Sequence, residues 1–109
     1  MAILTIDQIL QASDLPRETV PVPEWGGEVV VQGLSRAQFE AIHKAVGDDD
    51  QRRERAMLAA CIVEPKITEE QAGQLAEKSL VAYSRVAAAV GRVNGTTGGD
   101  PVVQAKSPA

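Results

Sequence analysis

Between Thr19 and Ser35 the chain reads Thr-Val-Pro-Val-Pro-Glu-Trp-Gly-Gly-Glu-Val-Val-Val-Gln-Gly-Leu-Ser. Two valine-rich runs flank a turn made of Pro, Gly and the single tryptophan, and Leu34-Ser35 opens a helix. The runs read as strands, Glu18 to Val22 and Glu28 to Gln32, because β-branched residues suit a pleated, half-buried surface. Pro23-Glu24-Trp25-Gly26-Gly27 supplies the reversal, and its glycines are free to take positive φ. Pro21 and Pro23 donate no ladder hydrogen bond, so the first strand belongs at a sheet edge. An isolated hairpin is marginal in water. Val20, Val22, Val29 and Val31 therefore have to pack on helices or join another sheet.

Helix starts are signalled by a Ser, Thr or Asp placed three residues before a Gln. Thr5/Gln8, Ser35/Gln38, Asp48/Gln51 and Thr68/Gln71 all fit this reciprocal capping pattern. The first predicted helix is short, Ile6 to Gln11, with Ile6, Ile9 and Leu10 on one side. The second follows Ser35, turns Ala37, Phe39 or Ile42, and Val46 inward, and stops at Gly47. A third begins at Asp48-Asp49-Asp50 and runs to about Val63, with Met57, Leu58, Cys61 and Ile62 as its apolar stripe. Pro65 breaks it. Thr68 caps a brief fourth helix carrying Ala72, Leu75 and Ala76. The fifth, about Lys78 to Val93, lines up Tyr83, Val86, Ala87, Val90 and Val93, and Asn94-Gly95 ends it. The expected class is α+β, mostly α: about five short helices with one N-terminal β-hairpin. Residues 1–95 form the single domain, and 96–109, rich in Gly, Thr, Ser and Pro, form a flexible C-terminal tail.

Composition narrows the function. Hydrophobic residues make up 44% of the chain, but Trp25, Phe39 and Tyr83 are the only aromatics. The core should be thin, which favours a partner or a homo-oligomer. A net charge of −4 disfavours nucleic acid as a partner. One cysteine, with no signal peptide or membrane-length apolar run, fits a soluble protein of a reducing cytoplasm and leaves no membrane role.

Chemistry-bearing residues are few. His43 is the only histidine and reads as a solvent-facing helix residue. Cys61, amid Met57, Leu58 and Ile62, reads as a buried thiol. Asp48-Asp49-Asp50 lacks the alternating ligands of a calcium loop. These acids instead suit a helix N-terminus and pair with Arg52 and Arg53 at i,i+4 spacing. Arg52, Arg53 and Arg55 read as a solvated face. No nucleophile–base pair and no ligand set assembles, so no enzyme, metal or cofactor is expected. Trp25 admits two readings, a lid on the core or an anchor for a partner.

The chain resembles the tail assembly chaperones of long-tailed bacteriophages and prophages. The matching residues are Val22-Pro23-Glu24-Trp25-Gly26-Gly27, Val29, Val31, Leu34-Ser35 and Phe39. A second stretch adds Pro65, Ile67-Thr68-Glu69-Glu70, Leu75, Lys78-Ser79, Arg85 and Val93-Asn94-Gly95. The likeness runs from about Leu4 to Gly95. It implies a non-catalytic factor of the host bacterial cytoplasm, absent from the mature virion. Such a factor would keep the tape measure protein soluble while tail tube protein polymerises around it. Trp25, Met57, Leu58 and Ile62 are the protein-binding candidates, the last three as one wall of a groove for an amphipathic helix. The favoured reading of the same stripe is that packing against the fifth helix consumes it as ordinary core. Two other functions fit less well: a structural tail completion or connector protein, and a small DNA-binding regulator using the Arg52–Arg55 cluster.

Overall fold

The computed structural model describes residues 2–95 of the 109-residue chain; the predicted tail, 96–109, lies outside them. Three of the four capping pairs close reciprocally. In each, the Ser or Thr oxygen accepts from the Gln amide while the Gln side chain accepts from the cap amide, at 2.9–3.2 Å. They open α1 (Ile6–Gln11), α2 (Arg36–Val46) and α4 (Glu69–Gln74). The fourth pair is corrected. Asp49, not Asp48, caps α3 (Asp50–Cys61), accepting from the Arg52 amide at 3.0 Å. A 3-10 turn, Leu75–Glu77, follows α4, and Ser79 caps α5 (Leu80–Val93).

β1 (Arg17–Val22) and β2 (Gly27–Gln32) pair antiparallel, with Val20 opposite Val29 and Glu18 opposite Val31. Their connection is a 3-10 turn, Pro23–Trp25, closed by Gly26 at φ 79°, a conformation that glycine adopts without steric cost. The hairpin is not alone. The expected last turn of the third helix is instead β3 (Ile62–Glu64), pairing antiparallel with β2 through Val31–Ile62 and Val30–Glu64. Ile62 and Val63 are β-branched and sit three and two residues before Pro65, so the chain gives up helix where β2 offers an unpaired edge. The sheet order β1-β2-β3 leaves β1 at an edge, as Pro21 requires.

α5 lies across the inner face of β1 and β2. Val20, Val22 and Val31 meet Ala82, Val86, Ala89, Val90 and Val93, the end of α3 adds Leu58 and Cys61, and β3 adds Ile62. Ala82 and Ala89 are fully buried although the sequence stripe passed them over. The largest fully enclosed side chains are valines and Cys61, so small residues let α5 approach the sheet closely. Gly33 marks the tightest approach. A Cβ there would run into the Val93 carbonyl oxygen and the Pro16 ring.

Candidate functional site

Four polar clips hold α5 to the rest of the fold, and none was visible as a pair in sequence. Arg85 donates to Glu24 through both terminal guanidinium nitrogens, Nη1 and Nη2, at 2.6 and 3.2 Å. Arg92 forks onto Glu18 through Nε and Nη2. The two arginines are two helical turns apart and grip the start of β1 and the turn that follows it, so α5 runs antiparallel to that strand. Arg92 chiefly, by hydrogen bonding, holds the Glu18 carboxyl below its ordinary value of 4.5, and Arg85 does the same for Glu24. Asn94 supplies the remaining clips. Its Oδ1 accepts from the Leu34 amide at 2.8 Å, while Nδ2 donates to the Val90 carbonyl at 2.9 Å and to Cys61 Sγ at 3.4 Å. The residue read as a helix stop also joins α5 to the β2–α2 link and to the end of α3.

The arginine cluster is tied into the fold while keeping contact with solvent: Arg52 is exposed, and Arg53 and Arg55 are half-buried. Arg52 Nε donates to Glu69 at 3.1 Å, and Arg53 bonds Asp50 at 2.9 Å and the Gly47 carbonyl. These contacts replace the expected Asp48/Arg52 and Asp49/Arg53 pairs. They tie the C-terminal end of α2 and the start of α4 to α3. Arg55 lays its side chain over Gly73 of α4.

The sequence-derived contact residues separate by burial. Leu58 and Ile62 are each 3% exposed and belong to the core cluster. Met57 and Trp25 are half-buried and pack against that cluster. Trp25 thus covers the core from the hairpin turn while keeping an outer surface. Cys61 is enclosed, and burial pushes its thiol pKa up. Tyr83 is also raised, first by burial and then by the neighbouring Glu54 carboxylate. His43 is exposed on α2, its ring stacked on Phe39 with centroids 6.2 Å apart. Among the described residues no three His, Cys, Asp or Glu side chains gather where they could hold a metal, and no helix is long and apolar enough to cross a membrane.

What the sequence did not foresee is how much aliphatic surface stays outside. Ile6, Ile9 and Leu10 of α1 are 66%, 50% and 74% exposed, and Ile3, Leu4 and Leu15 beside them are also exposed. α1 buries none of its residues. In α2 only Val46 is buried; Ile42 is half-buried, and Phe39, expected to have a claim on the core, is exposed. Leu80 and Val81 add a smaller apolar spot at the start of α5. Large exposed apolar patches are where proteins commonly meet other macromolecules, which makes these side chains candidates for such a contact.

No protein-family model matches the chain, and no curated protein matches it. Among solved structures it is similar to the bacteriophage HK97 tail assembly chaperone, with a TM-score of 0.49 and 19% identity over 82% of this chain and 97% of that one.

Proposed function

We propose that this chain is a tail assembly chaperone of a long-tailed bacteriophage or prophage. In this reading it binds the tape measure protein in the host cytoplasm, keeps it soluble while tail tube protein assembles around it, and performs no chemistry. One observation carries the reading. The two separated stretches whose residues resemble that family meet in the fold, through Glu24–Arg85 and through Leu34–Asn94. The resembling residues are therefore the clips and turn of one body, and not scattered helix composition.

The exposed aliphatic surface supports the role from the physical side. A tape measure segment is a long amphipathic helix whose apolar face aggregates unless it is covered, and a partner covers it by offering apolar surface of its own. Of the four contact residues expected from sequence, Trp25 and Met57 retain surface to offer. Leu58 and Ile62 would act by holding that surface in shape.

Co-expression with the tape measure protein of the same particle tests the proposal. A clear rise in soluble tape measure protein is expected. If the partner is no more soluble with this chain than without it, the role is wrong. Mass spectrometry of purified virions adds a second arm, since stoichiometric presence there would replace the chaperone by a connector or completion subunit.

A further inference from the structure

Among the described residues, Arg55 is the one arginine whose guanidinium has neither a hydrogen-bond nor an ion-pair partner. Arg17 donates to Gln32, and Arg36, Arg52, Arg53, Arg85 and Arg92 each pair with a carboxylate. We propose that Arg55 receives a carboxylate of the tape measure protein, carried on an amphipathic helix whose apolar row lies on Leu80. The inference rests on the tail assembly chaperone reading and names the place where that partner is held.

This arginine is seated. Its stem lies across Gly73 of the six-residue α4, so closely that a Cβ on Gly73 would come within 2.8 Å of Arg55 Cδ. Glycine inside a helix is destabilising relative to alanine, because its backbone loses the most freedom on ordering. A helix this short has little stability to give up. What the glycine admits is a half-buried cation that bonds nothing in its own chain. Cover for α4 would need no charge, and a shorter apolar side chain would leave room for alanine at position 73.

The surroundings select the ligand. Arg55 lines a hollow of ≈ 260 Å³ with Gln51, Glu54, Gly73, Ala76 and Tyr83, where α3, α4 and α5 converge. That is smaller than the usual small-molecule site of about 300–1,000 Å³, and suits side chains of a partner. The arginine fork matches a carboxylate or a phosphate. Glu54 decides between them. Its carboxylate lies beside the Tyr83 hydroxyl and repels a phosphate more strongly than a singly charged carboxylate. Glu54 has no cation of its own, so a Lys or Arg one turn along the same partner helix completes the match. The apolar part adjoins it. Leu80 is 78% exposed and shares a face of α5 with Tyr83, three residues on. Arginine and tyrosine side by side are the residue types in which binding energy concentrates.

The test is co-expression of the full chain with the tape measure protein of the same particle, read as recovery of that partner by affinity capture. Arg55→Glu and Leu80→Asp should each lower recovery by roughly tenfold or more. Arg55→Met keeps a stem over Gly73 without the charge, so it should lose binding while its urea midpoint stays where it was. Gly73→Ala should be at least as stable as the wild type, since the arginine stem can swing clear, yet bind less because the guanidinium is displaced. Reversing the acidic residues of the partner helix to Arg, one at a time, should restore recovery with Arg55→Glu at one position. If the wild-type chain captures the partner and the Arg55 variants capture it equally well, this site is wrong and the chaperone reading stands. If the wild-type chain captures nothing, both fall. Stability and binding lost in step by Arg55→Met, or no restoring reversal, would also overturn the proposal.

Discussion

The N-terminal arm, residues 2–15, and the last helix contain similar proportions of aliphatic residues and meet opposite fates. α5 buries Ala82, Val86, Ala89, Val90 and Val93 against the sheet and is pinned by Arg85, Arg92 and Asn94. α1 buries nothing. Hydrophobic residues at helical spacing thus say only that a helix has a side to cover. Whether its own chain covers that side depends on other elements carrying small residues and polar partners at matching positions. α5 has both, with alanines that permit close approach and arginines placed to meet Glu18 and Glu24. The arm has neither.

That contrast can be broken most directly in the core. Leu58→Ala should destabilise the chain by about 2–5 kcal/mol, since a buried leucine leaves a cavity that its neighbours fill only in part. Urea unfolding checks this. A loss below that range would mean the core is as loosely held as the arm. Asn94→Ala comes next, at about 1–3 kcal/mol, because the Leu34 amide loses its acceptor in a partly buried place.

Acid sharpens the comparison further. The folded pKa values of Glu18 and Glu24 are depressed below 4.5, so their pairs contribute stability that is full above that pH and fades as pH falls through the folded values. Thermal melts down to strong acid should show this loss reduced in a Glu18→Gln, Glu24→Gln double variant. The effect should be small, because both pairs are partly solvated and exposed ion pairs contribute little. Smallest of all, Leu10→Ala should shift the unfolding midpoint of a dilute sample by no more than about 0.5 kcal/mol. A larger shift there would show that the arm is packed on its own body.

The parts of the fold legible in sequence are those governed by neighbours a few residues away. Thr5, Ser35 and Thr68 reach amides three positions on, so their caps were readable. The β1–β2 hairpin was readable from its turn, and the edge placement of β1 from Pro21. β3 was not, because Ile62 continues the helical spacing of Leu58 and becomes strand only where β2 has a free edge. The Asp48 cap was misplaced by one residue because three consecutive aspartates offer the same chemistry.

The candidate surface was less legible than the fold. Met57, Leu58 and Ile62 drew notice as an apolar stripe, and that same property drew Leu58 and Ile62 into the core. Ile6, Ile9 and Leu10 were read as one side of a helix, with no sign that nothing would cover it.

The amino-acid order alone placed the starts of α1, α2 and α4 and the reversal of the chain at Gly26. Tertiary structure decided which arginines are clips, that a third strand exists, and which of several equally greasy segments stays outside. The physical reason is range. Backbone capping and turn strain act over three or four residues, whereas Arg85 and Glu24, or Asn94 and Leu34, find each other only after the intervening chain has folded.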